Sequence, residues 1–178
     1  SLYNETHGEA IYPTPIVGAI GLLDDVTRHL MPGFVDQEEL VVIIGVNDIT
    51  GIPESIGGSE YLEVIHDKVV GHPTLDIELE LTVQKTCLLA AERGILVAAH
   101  DCSEGGLGVT LAELCIQNGV GFKCEAGIKG RWDWALFGES QSRIVVSLLP
   151  ENLDSFRNVC AETGVPWIVI GRTRGESL

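Results

Sequence analysis

Four short runs of branched apolar residues limit what this chain can become: Leu40–Val46, Ile95–Ala99, Ile144–Leu149 and Trp167–Ile170. None alternates apolar with polar residues, so each predicts a strand covered on both faces rather than one half exposed to water. Such strands need helices on either side. Ile16–Leu23, interrupted by two glycines, is a fifth candidate strand, and Val120–Glu125 a sixth.

The covering helices are legible between the runs. Glu104–Asn118 places Leu107, Leu111, Leu114 and Cys115 on one face and stops before Gly119. Asn152–Thr163 carries Leu153, Phe156 and Cys160 and ends at Gly164. Leu75–Arg93 is ambiguous at first, because Asp76–Val83 alternates as a strand would. Its length, the acids at its start and Arg93-Gly94 at its end decide for a helix. This order predicts an α+β fold of α/β/α layers around a mixed sheet. The turn Met31-Pro32-Gly33 is the best domain boundary. It makes residues 1–34 the tail of a preceding domain and residues 35–178 a domain of their own. The chain opens at Ser1 inside a patterned segment, as a piece of a longer polypeptide would.

Composition excludes several function classes. A net charge of -15 over 178 residues argues against binding the phosphate backbone of a nucleic acid, which needs clustered Lys and Arg. Small phosphate ligands stay open, because backbone N–H groups and a metal can hold them. No apolar run approaches the roughly 20 residues that span a bilayer, and no signal-peptide pattern is visible. The five cysteines, Cys87, Cys102, Cys115, Cys124 and Cys160, are odd in number and form no CxxC. They read as small hydrophobic residues in a reducing, cytoplasmic compartment. The five histidines show no HExxH spacing, and no GxSxG elbow is present.

Three segments can carry chemistry. In His100–Leu107 a strand ends in His-Asp and two glycines open the next helix. Gly105 and Gly106 can bring backbone N–H groups to a phosphate, with Asp101 and Glu104 as ligands of Mg²⁺. Equally, Ser103 can cap the helix while the glycines permit close packing. Gly57-Gly58-Ser59 enters another helix and either cradles phosphate or supplies Ser59 as a simple N-cap. Glu139, in Leu136–Arg143, either contacts a ligand or is a solvated carboxylate at a strand entry.

These three segments, with Ser1–Thr6 and Tyr12-Pro13-Thr14-Pro15, stand in an order and spacing that resembles one family. It is the small-type, ATP-using subunit of phosphoribosylformylglycinamidine synthase, in its second half. The resemblance runs over nearly all of the chain. It implies two tandem copies of an aminoimidazole-ribonucleotide-synthetase-like unit, with residues 1–34 finishing the N-terminal domain of the second copy. It also implies a ligase that turns formylglycinamide ribonucleotide, ATP and glutamine-derived ammonia into formylglycinamidine ribonucleotide, ADP and phosphate. ATP and Mg²⁺ would be its cofactors, and a glutaminase subunit and a small accessory subunit its partners. Ser1 matches a serine that contacts substrate. The family's general-base histidine and nucleotide lysine lie in the first half, so this chain would hold no catalytic residue and be inactive alone. By pseudo-symmetry, His100–Gly106 and Glu139 would face a second, structural nucleotide site. The rival readings are another superfamily member (selenophosphate synthetase, thiamine-monophosphate kinase or aminoimidazole ribonucleotide synthetase) and a non-catalytic scaffold module.

Overall fold

The computed structural model describes residues 5–11 and 17–176. Ser1 and the Tyr12–Pro15 motif lie outside the described residues. In chain order the strands are β1 (Glu5–Thr6), β2 (Glu9–Ala10), β3 (Leu40–Ile44), β4 (Ile49–Gly51), β5 (Leu96–Asp101), β6 (Phe122–Cys124), β7 (Ile128–Gly130), β8 (Ile144–Leu148) and β9 (Trp167–Thr173). The helices are α1 (Glu60–His66), α2 (Ile77–Glu92), α3 (Gly106–Asn118), α4 (Trp132–Phe137) and α5 (Leu153–Thr163), with short 3-10 turns between some of them.

Five strands form the central sheet in the order β5-β8-β3-β9-β6. Every pairing in it is antiparallel. Among the described residues, parallel pairing is confined to the separate β4–β7 pair and a single bridge from Met31 to Ala98. The expected α+β layering is therefore borne out, while the mixed pairing is divided between a main sheet and a satellite pair. All four apolar runs became strands of this sheet.

Period-two geometry sorts β3 into two cores. Val41 and Ile43 face one side with Leu107, Leu111 and Leu114 of α3. Leu40, Val42 and Ile44 face the other with Val83 of α2 and Phe156 and Val159 of α5. The α2–α5 layer is tied by Thr86 donating to Thr163 Oγ1 at 2.8 Å and by the Arg93–Glu162 ion pair at 2.9 Å.

One expected strand is absent. Within Ile16–Leu23 the described residues, 17–23, form no strand, and Val17, Ile20, Leu22 and Leu23 are exposed. Apolar composition alone does not make a strand, because its backbone donors need a ladder, and among the described residues none runs beside this stretch. The tail joins the body further on. Leu30 packs on the α2–α5 core, and Phe34 is fully buried in the other core. The Phe34 N–H donates to the Leu114 carbonyl at 3.1 Å, and its own carbonyl accepts from Asn118 Nδ2 at 3.0 Å.

Candidate functional site

The three segments singled out in the sequence meet at one place. Strand β5 carries Asp101 to the sheet's end, and the chain then turns through residues 102–105 into α3. Gly105 is the N-cap of that helix with φ 79°, and Gly106 follows with φ 65°. Both values lie in the left-handed region, which glycine enters without steric cost. From the other side, Gly57-Gly58-Ser59 leads into α1, and the turn after α4 brings Gly138 and Glu139 between the two helix starts.

Glu139 makes the join. Its Oε1 accepts from the Gly105 N–H at 2.9 Å and from the Glu60 N–H at 2.8 Å. The Glu139 N–H in turn donates to the Ser55 carbonyl at 2.8 Å, which fixes its backbone. A carboxylate at a helix N-terminus is favoured by the exposed N–H groups and the helix dipole. Here one carboxylate oxygen serves two helices.

The neighbouring donors are also matched within the chain. The Gly106 N–H donates to the Ser103 carbonyl at 3.0 Å, and the Gly58 N–H to the Val70 carbonyl at 2.8 Å. Ser59 is the N-cap of α1, with Oγ accepting from the Leu62 N–H at 3.4 Å and donating to the Ile56 carbonyl at 2.7 Å. Ser103 does not cap α3 through its side chain, since its Oγ donates to Asp101 Oδ2 at 2.6 Å. Gly57 lies near Gly71, whose positive-φ backbone lets the two segments of the chain come into contact. Gly106 packs so closely on the turn after α4 that a Cβ there would lie 2.5 Å from the Gly138 carbonyl oxygen.

Beside this join lies a cavity of about 320 Å³, lined by Glu80, Asp101, Ser103, Glu104, Glu139 and Arg143 among others. Asp101 and Glu104 are exposed. Arg143 is held by its Nη2 donating to the Gly138 carbonyl at 2.6 Å and its Nε to the Ser140 carbonyl at 3.0 Å. Sequence reasoning did not single out Glu80 or Arg143. Glu80 gave no local signal, because only the packing of α2 brings it to this rim. Arg143 closes the Leu136–Arg143 segment but reads there as an ordinary strand-entry residue.

The chemistry these residues can do is limited. Among the described residues, no group of three or more His, Cys, Asp or Glu is placed to hold a metal ion. An Mg²⁺ here would have to bring its phosphates with it, and the N–H groups of Gly58, Ser59, Gly105 and Gly106 are engaged within the chain. Asp101 and Glu104 therefore do not fit a metal site built by this chain alone. Burial pushes the Cys102 thiol above its usual range despite the opposing charge of Arg143, so it is not a thiolate nucleophile at neutral pH. Burial raises Cys87 and Cys115 likewise, and Cys160 is pushed up to about 12. A second polar cluster pins α4. Arg131 pairs with Asp133 through both its Nε, at 3.0 Å, and Nη2, and Tyr61 stacks on Phe137 with ring centroids 5.3 Å apart. The hydrogen bond from Arg131 holds the Asp133 carboxyl below the usual range.

Known proteins share this architecture. Residues 39–177 match the family model described as AIR synthase related protein, C-terminal domain. The chain is 45% identical over 179 aligned residues to phosphoribosylformylglycinamidine synthase subunit PurL of Moorella thermoacetica, covering all of this chain and 24% of that one. It is 39% identical to the subunit of the same name from an Anaeromyxobacter species, again covering 100% of this chain and 24% of the relative. The chain thus spans about a quarter of the length of these relatives. Among solved structures, Thermotoga maritima PurL complexed with FGAR superposes with a TM-score of 0.67 at 16% identity, over 86% of this chain and 27% of that one. E. coli HypE, a hydrogenase maturation protein, superposes with a TM-score of 0.53 at 13% identity, over 84% of this chain and 48% of that one. At such identities the superpositions speak for the fold alone. The chain belongs to the AIR synthase related protein, C-terminal domain family.

Proposed function

We propose that this chain works as part of a phosphoribosylformylglycinamidine synthase, the ligase that makes formylglycinamidine ribonucleotide from formylglycinamide ribonucleotide, ATP and ammonia. The observation that carries this reading is the 45% identity to the Moorella thermoacetica subunit along the whole of this chain. In this reading residues 1–34 end one domain and residues 35–178 form the next, with Leu30–Phe34 as the seam. ATP, Mg²⁺ and the amide substrate are handled chiefly by the remainder of a longer polypeptide. Ser1 is the one residue here assigned to substrate. A glutaminase subunit supplies ammonia, a small accessory subunit completes the complex, and the assembly works in the cytoplasm.

Asp101, Glu104 and Glu139 then take a supporting part rather than a catalytic one. The engaged donors around Gly58 and Gly105 favour this, because transition-state stabilisation of a transferring phosphoryl group needs donors free to meet it. They also favour a scaffold role for the segment within the enzyme.

The test is a chimera in which this chain replaces the matching quarter of the Moorella thermoacetica subunit. Growth of a purine auxotroph lacking the synthase is the expected result. The isolated chain, given ATP, formylglycinamide ribonucleotide and ammonia, should form no ADP above background. A folded chimera that fails to restore growth would overturn the assignment, and turnover by the chain alone would overturn the division of roles between this chain and the remainder.

A further inference from the structure

We infer that Glu139 is a resident counter-anion: it locks the starts of α1 and α3 together and takes the place a phosphate oxygen would occupy at Gly105. Three observations carry this. First, one oxygen, Oε1, accepts from two N–H groups of different helices, Glu60 at 2.8 Å and Gly105 at 2.9 Å. Second, the main chain that carries the carboxylate is held in place, because the Glu139 N–H donates to the Ser55 carbonyl at 2.8 Å. The glycine before it is equally fixed, since a Cβ at Gly138 would collide with the Trp134 carbonyl oxygen and lie 2.6 Å from Ser55 Oγ. Third, the adjoining donors of both glycine turns, at Gly58 and Gly106, are spent on the chain's own carbonyls.

A negatively charged oxygen between two N–H donors is what a phosphate or sulfate supplies at such a place. An incoming anion must break two charge-assisted hydrogen bonds and meet the carboxylate's charge at contact distance. The glycine-rich turns are therefore closed to small anions, and their conformational freedom serves packing. Glu139 is a positioning residue: it acts on the mutual placement of α1 and α3 and touches no reactant.

This role of Glu139 is independent of the synthase reading. Its test uses the chain alone, without turnover, so either can fail without the other. Amide resonances of Glu60 and Gly105 are followed while inorganic phosphate is added to the wild type, to Glu139→Gln and to Glu139→Ala. The wild-type amides should not move. In Glu139→Ala both should shift saturably, and in the neutral Glu139→Gln they should shift more weakly. Hydrogen exchange at the same two amides should quicken together, by roughly tenfold or more, in Glu139→Ala, as loss of a bond to a charged acceptor implies. A merely structural carboxylate would quicken exchange without conferring phosphate binding. A saturable response in the wild type overturns the inference, as do folded variants that never respond to phosphate. Should Glu139→Ala unfold, the isosteric Glu139→Gln decides by itself.

Discussion

Gly106 shows how little room this site leaves. Its φ of 65° and the Gly138 carbonyl oxygen, 2.5 Å from where a Cβ would sit, act together. Gly106→Val should lower stability by about 3 kcal/mol or more, read as a fall in the melting temperature. Gly127, with nothing within 4 Å of its Cβ position and no left-handed backbone, is the control. Gly127→Ala should change stability by less than about 1 kcal/mol. Equal effects from the two would mean that α3 does not pack on the turn as described. Asp133 adds a pH dependence. Its carboxyl is held below the ordinary value by Arg131, so its contribution is complete above the usual aspartate pKa, about 3.9. That contribution is lost as pH falls below this value toward the folded-state pKa. Denaturant melts of Asp133→Asn across this acid range should show a shallower decline than the wild type. Parallel declines would refute the pairing.

At the scale of elements, the long regular ones were legible by their pattern, and of the short ones only β6, within Val120–Glu125, and the start of α1 were. The four apolar runs gave β3, β5, β8 and β9 because their faces are buried or half-buried, and α3 and α5 announced themselves by their stripes and terminal glycines, while α2 was told from a strand by its length, its leading acids and Arg93-Gly94. Three-residue β4 and β7 carry too little pattern to be seen, since each exists by pairing with the other across about 80 residues of chain. The seven-residue α1 buries none of its residues, so it showed no stripe, and only its capping residue, Ser59, marked its start. Residues 17–23 failed in the opposite way, with a strand's composition and no pairing strand among the described residues. Their amides should exchange at nearly the rate of an unfolded chain. Those of β3, in the middle of the sheet, should be the most protected, and β5, at its edge, should fall between. Protection of residues 17–23 equal to β3 in a monomer would show that they pair after all. The site was half legible. Its glycines and carboxylates could be named, but that Glu139 would satisfy the other two segments depended on contacts 34 and 79 residues apart in sequence.

For the whole molecule, the sheet has two rims, and they differ in how they meet solvent. The rim at β6 is three residues long, too short to seed pairing with another chain. The rim at β5 is six residues long, and Met31 crosses it at Ala98 while Leu30 and Phe34 anchor the crossing in opposite cores. The end of the tail thus works as a guard rail: by crossing at Ala98 it breaks the run of open backbone on which strand-by-strand aggregation starts.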